Sequence, residues 1–164
     1  MPKQLNLDFC NWRLWLAITC LVIAGTLLPY KISVTLTPSL KHRVYWLVRS
    51  PDRVGKGDYV LFKHRELTTR MGITKSEAVM KIVGCDEGEP LTVDADKKFY
   101  CSGEYLVRAK DLSLKGEPLQ HFAFNGYVPK GFMFVVGQHK DSYDSRYMGF
   151  VDKNRILAKA YPIF

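Results

Sequence analysis

The sequence predicts a mainly β protein, a single N-terminal helix followed by one small all-β domain. Three observations carry this. Leu14 to Tyr30 is a run of 17 residues without a charge, read as one helix. Everything after it breaks into short apolar runs rich in β-branched and aromatic residues, separated by turn residues. The size also fits, because 164 residues at 47% hydrophobic and 24% charged make one domain with enough apolar content for a core. That excludes a disordered tail or a collagen-like fibre.

At ~1.5 Å per residue the apolar run makes a helix about 25 Å long, and including Trp12 brings it nearer the ~30 Å hydrocarbon thickness of a bilayer. Trp12, Trp15 and Tyr30 near its ends suit membrane interfaces, and Pro29 is a natural stop. A retained membrane anchor, a cleaved signal peptide and a buried core helix all compete for the segment. No small-x-small cleavage site follows, which favours the anchor. Basic residues on both sides leave its orientation open, with Lys3 and Arg13 before the run and Lys31, Lys41, Arg43 and Arg49 after it. The expected division is 1–30 as cytoplasmic tail and transmembrane anchor, and 31–164 as the extracytoplasmic domain.

In that domain the expected strands are Val44 to Val48, Tyr59 to Phe62, Val79 to Val83, Leu91 to Val93, Tyr105 to Val107, Phe132 to Val136 and Ile156 to Ile163. Breakers such as Ser50-Pro51, Gly55-Lys56-Gly57, Asn125-Gly126 and Pro129-Lys130-Gly131 fall between them. The charged stretch from His64 to Glu77 lacks strand periodicity and reads as a loop or a short helix. No internal repeat or low-complexity linker marks a second soluble domain.

The charge of +8 invites nucleic acid, an anionic membrane surface or an acidic substrate as partner. Nucleic acid is not expected, since the basic residues form no stripe interleaved with stacking aromatics and there is no P-loop or GxGxxG. Residues 1–30 hold only Lys3 and Arg13 against Asp8, so nearly all the excess lies in the β domain, where it reads as a membrane-facing or solvated surface. His42, His64, His121 and His139 are scattered without ligand spacing, and no metal or other cofactor is expected. Cys10 and Cys20 precede or lie within the apolar run. Cys85 and Cys101 flank a hairpin-like segment with a turn near Asp94 to Lys98, and their spacing leaves a disulfide and two buried thiols equally open. A bridge would close a loop of about 16 residues, worth roughly 3 kcal/mol on the loop-entropy argument.

Three segments suggest chemistry. Leu36-Thr37-Pro38-Ser39-Leu40 puts a serine nine residues beyond Tyr30, at most about 30 Å from the apolar run. In Ala78-Val79-Met80-Lys81-Ile82-Val83-Gly84 a lysine interrupts a strand; alternation puts it on one face with Val79 and Val83, and such a lysine usually points to solvent. Val128-Pro129-Lys130-Gly131-Phe132-Met133-Phe134-Val135-Val136-Gly137 ends in glycine and leads into Ser142-Tyr143-Asp144-Ser145-Arg146-Tyr147-Met148-Gly149-Phe150-Val151, by itself readable as a turn held by an Asp144 to Arg146 ion pair.

Together these segments resemble the type I signal peptidase superfamily, most closely its conjugative-transfer branch, the TraF-like peptidases that mature pilin subunits. The resemblance runs from Leu14 to Phe164 and is most specific in the carboxyl-terminal box. It implies a small all-β catalytic domain on a membrane anchor, with Ser39 as nucleophile and Lys81 as general base. Thr37 would give its hydroxyl to the oxyanion hole beside the Ser39 N–H. Ser142 would hold the lysine amine, with Asp144 and Arg146 bracing the turn; in the TraF-like branch the aspartate is itself counted as catalytic. The branch also tends to carry the Cys85 and Cys101 pair, which favours the disulfide and an oxidising compartment. Three departures are visible. Ile82 follows the lysine where arginine is usual, Glu87-Gly88-Glu89 stands where the family has a Pro-Gly-Asp turn whose glycine lies seven residues after the lysine, and Lys41 stands where the family has a proline two after the nucleophile. The register of the base could be anchored on Gly88 or on Gly84. The first gives Lys81 and the second gives Met80, which has no basic group.

The expected function is that of a single-pass inner-membrane serine endopeptidase facing the periplasm, with a Ser-Lys dyad that processes a pilin precursor or another membrane-held preprotein at the lipid bilayer. Its acyl-enzyme would be resolved by water or, with cyclisation, by the pilin's own amino terminus. A general leader peptidase, and an inactive scaffold of a conjugative transfer apparatus, are the alternatives. Serine is a weak nucleophile until a base takes its proton, and lysine near its ordinary pKa of ~10.4 cannot. Burial among Val79, Met80, Ile82 and Val83 would supply the desolvation that frees it.

Overall fold

The computed structural model describes residues 12–35, 39–63 and 78–164. Thr37 and the stretch 64–77, expected as a loop or short helix, lie outside them. The apolar run folds into helix α1 (Trp12–Lys31). Its two threonines turn their hydroxyls back onto the preceding turn, Thr19 to the Trp15 carbonyl at 2.8 Å and Thr26 to that of Val22 at 2.9 Å, so neither polar group is left unpaired on an apolar helix. Trp12, Leu16, Leu21, Val22 and Ile23 are exposed. The expected membrane-spanning helix needs correction. Among the described residues no helix is long and apolar enough to cross a membrane. Between the charges of Arg13 and Lys31 the chain has about 25 Å of helix against ~30 Å of hydrocarbon.

The remainder is mainly β, as expected. Eleven strands follow among the described residues: β1 (Ile32–Val34), β2 (Val44–Arg49), β3 (Tyr59–Lys63), β4 (Ala78–Cys85), β5 (Pro90–Val93), β6 (Lys98–Cys101), β7 (Glu104–Arg108), β8 (Gly126–Tyr127), β9 (Phe132–Val136), β10 (Val151–Asp152) and β11 (Ile156–Pro162). A one-turn helix α2 (Ser145–Met148) separates β9 from β10. They form two antiparallel sheets, one ordered β1-β2-β11-β3-β4-β9-β10 and the other β7-β6-β5-β8.

β4 is interior to the larger sheet and is covered on both faces. One face carries Met80, packed with Leu40, Tyr45, Leu47, Ala158 and Ala160. The opposite face carries Val83 with Val60, Phe62, Met133 and Val135. A third cluster joins the two sheets, uniting Cys85, Phe134 and Val136 with Leu91, Phe99 and Cys101. Cys85 and Cys101 are bonded to each other at its centre, Cα to Cα 5.5 Å, and both are fully buried. The bridge ties the end of β4 to β6 in the smaller sheet.

Candidate active site

The antiparallel register pairs Val60 with Lys81 and Ile82 with Val136. Alternation then puts Lys81 on the face of Val60 and Val83, an apolar face in this sheet. Lys81 is 2% exposed, so the outward orientation usual for a strand lysine is corrected. An interior strand covered on both faces leaves no solvated side. The amine is satisfied by donating to Ser142 Oγ at 2.7 Å. Burial pushes its pKa down to about 8; the negative charge of Asp144 pulls the other way and the Arg146 charge adds to the depression.

Ile82 opposite Val136 brings Gly137 alongside Lys81. A Cβ on Gly137 would collide with the Ser142 side chain, 2.6 Å from its own Cβ, and stand 3.1 Å from the Ser39 carbonyl oxygen. Only the missing side chain lets the Ser39 and Ser142 segments close over the strand position beside the lysine. The Ser39 carbonyl accepts from the N–H groups of Gln138 and His139 at 2.9 and 3.2 Å. Ser39 and Ser142 therefore meet at one glycine, and Ser142 carries the lysine amine. Thr37, the expected oxyanion donor, lies outside the described residues.

The Ser142 to Met148 segment stands where β9 has lost a neighbour. β10 pairs only with Phe132 and Met133, and the N–H groups further along that edge need other acceptors. Val135 donates to Ser145 Oγ at 2.9 Å and Gly137 to Asp144 Oδ2 at 2.7 Å. Asp144 also caps α2 by accepting from the Arg146 N–H. Arg146 closes a fork on the Asp144 carboxylate through Nε and Nη2, both at 2.8 Å. It also donates to the carbonyls of Arg108 and Ser142, each at 2.9 Å. Asp144 is fully buried and Arg146 2% exposed, and a buried charge pair needs this kind of complete bonding. The Asp144 carboxylate thus accepts from Gly137 and Arg146. Its charge favours the proton on the Lys81 amine.

Ser145, Gly137 and Gln138 were not singled out from the sequence. Gly137 had one signal, since it ends the β9 apolar run, whereas Gln138 had none. Beside Ser142 opens a cavity of about 230 Å³ lined by Leu112, Leu119, Tyr143, Tyr147 and the Lys110–Asp141 pair. The sulfurs of Cys85 and Cys101 lie within 4.8 Å of a Glu89 carboxylate oxygen, a grouping of metal-ligand types. Bonded to each other, they offer no thiolates to a metal.

A family model described as "Signal peptidase, peptidase S26" matches residues 10–164. The chain belongs to that family. A curated relative, "Signal peptidase I" of Aquifex aeolicus (strain VF5), is 39% identical over 61 residues, 37% of this chain and 23% of the relative. The matched part therefore spans under a quarter of that signal peptidase's length. The crystal structure of a signal peptidase I from Enterococcus faecalis V583 is 24% identical, with 67% of this chain and 98% of that one covered at a TM-score of 0.42.

Proposed function

We propose that this signal peptidase family chain is an active endopeptidase in which Ser39 attacks the scissile carbonyl and Lys81 is the general base. The observation that carries the reading is a lysine 2% exposed inside a sheet, depressed to about 8 and held by one serine hydroxyl. A serine hydroxyl can accept from the charged amine and donate to the neutral one, so Ser142 holds Lys81 through both states. In the first half-reaction the Ser39 proton passes to Lys81, Oγ bonds to the carbonyl carbon, and the proton goes on to the leaving amine as the peptide bond breaks. The Ser39 N–H and the Thr37 hydroxyl take the oxyanion. Water then attacks the ester and gives a proton to Lys81, which passes it to Ser39 Oγ as the ester bond breaks, so that the acid product leaves and ionises while the Ser39 hydroxyl and neutral Lys81 are restored.

We further propose that the substrate is a conjugative pilin precursor held at the membrane, which rests on the resemblance carried by the Val128 to Val151 box and on the Cys85–Cys101 pair. If the pilin's amino terminus resolves the ester in place of water, the product is a circular subunit. The second reading, a general leader peptidase, is favoured by the relative named "Signal peptidase I". For location, we propose the periplasmic face of the inner membrane. The exposed apolar residues of α1 are supported by Trp46 and Tyr161, cross-strand partners on β2 and β11, and by Val48, Ile163 and Phe164, all exposed. Arg49 stacks over Tyr30 at 4.4 Å, a cation and an aromatic paired as interfaces favour.

Mass spectrometry of the pilin from cells with and without this chain tests the reading. Loss of the leader alone supports hydrolysis, and a further loss of one water supports cyclisation. Ser39→Ala and Lys81→Ala are each expected to abolish processing. No mass change with the wild-type chain would favour the scaffold, and cleavage of many unrelated preproteins would favour the leader peptidase.

A further inference from the structure

We propose that Gln138 is a positioning residue that clamps the nucleophile from both sides, an inference that rests on Ser39 being the nucleophile. The main-chain N–H of Gln138 donates to the Ser39 carbonyl at 2.9 Å. Its side-chain Oε1 accepts from the Lys41 N–H at 2.7 Å. Between the two lies Leu40, 6% exposed and packed against Tyr45, Leu47 and Met80. Ser39, Leu40 and Lys41 are therefore pinned at three points: a carbonyl, an apolar side chain and an N–H. Gln138 is exposed, and its carboxamide has no part in the core that would explain its placement.

The location of the clamp matters for catalysis. Gln138 directly follows Gly137, which lies alongside Lys81 across the β4–β9 pair. The clamp therefore references the nucleophile's main chain to the same strand register that places the base. Proton transfer and attack require such groups to be held to roughly 0.5 Å. A proline at position 41 would have stiffened the chain by itself and presented no N–H. Lys41 has the N–H and the freer φ, and Gln138 supplies the external restraint.

The clamp is tested on the full chain in detergent with a fluorogenic peptide carrying an Ala-x-Ala junction. Gln138→Met keeps the length and removes the acceptor, and it is expected to lower kcat about 3- to 10-fold with KM unchanged, the size of effect one exposed hydrogen bond can exert. Amide exchange at Lys41, followed by NMR, should speed up by a similar factor. Gln138→Glu restores an acceptor oxygen and should recover both. The midpoint of the pH–rate profile should stay in place in the Met variant, because nothing around Lys81 changes. Unchanged Lys41 exchange in Gln138→Met, or a Glu variant no better than Met, overturns the clamp. Wild-type cleavage by Ser39→Ala overturns the nucleophile assignment instead, and the exchange measurement still reports on the clamp, since it needs no turnover.

Discussion

At the scale of single residues the site is governed by how Lys81 is kept from water. At its ordinary value the amine would be neutral in roughly one molecule in three thousand at pH 7; at about 8 it is neutral in about one in ten. The rate on a fixed peptide is therefore expected to climb about tenfold per pH unit below about 8 and level off above it. A profile flat from pH 6 to 9 would sink the assignment of Lys81 as base. The same burial carries a stability cost. Unfolded, the amine titrates near 10.5, so between about 8 and 10.5 the unfolded state binds the extra proton and stability rises with pH. Below about 8 both states are protonated and the penalty, about 3 kcal/mol, is present in full. Lys81→Met removes it together with a bond to Ser142 worth about 1 kcal/mol. Chemical denaturation should find that variant inactive and about 2 kcal/mol more stable at pH 7, with the gain gone by pH 11.

At the scale of elements, the Ser142 to Met148 segment replaces a strand along the open edge of β9, and two of its side chains accept the N–H groups a neighbour would have taken. Asp144→Asn leaves Arg146 buried without its counter-charge, so a loss of about 3 kcal/mol is expected. Asp144 also favours the proton on Lys81, so the midpoint of the pH–rate profile should move down in this variant. A midpoint that stays or rises would contradict the electrostatic role. Gly137→Ala tests the same corner sterically, since its methyl would displace Ser142. Activity should be lost even where circular dichroism and the melting temperature stay close to wild type. This element was only half legible. The motif of Ser142, Asp144 and Arg146 was visible, and its bracing role with it. The edge it covers was not, because which strand lacks a neighbour is a property of the sheet order and leaves no mark in local sequence. Lys81 was legible by type and unreadable by direction for the same reason. The strands missed outright, β1, β8 and β10, are two or three residues long, too short for a two-residue period to register, whereas β6 was implied as the return of the hairpin that turns near Asp94 to Lys98. β1 directly continues an apolar helix, and β8 begins at the glycine that reads as a breaker.

For the whole molecule, the candidate site residues are placed by the larger sheet, while the smaller one meets the bracing segment at the Arg108 carbonyl of β7, and the disulfide between the sheets is testable as a separable feature. Ser39, Lys81 and Ser142 are placed by β4, β9 and the segments that close over Gly137, whereas Cys101 lies in β6 of the other sheet. Sequence spacing left the bond open because two buried thiols would fit the same hairpin; packing between the sheets brings the sulfurs together. With a sequence separation of 16 between its ends, the bridge removes conformations mainly from the unfolded chain. Replacing both cysteines by alanine should therefore lower stability by about 3 kcal/mol, read from denaturant midpoints, with reductant producing the same loss in the wild type and none in the variant. Turnover at low temperature, where the variant remains folded, should stay within about twofold of wild type, because the staple acts on the docking of the sheets rather than on the β4–β9 register. If kcat instead falls with stability, the smaller sheet must be holding the end of β4 in place, and the bridge belongs to the machinery that positions Lys81.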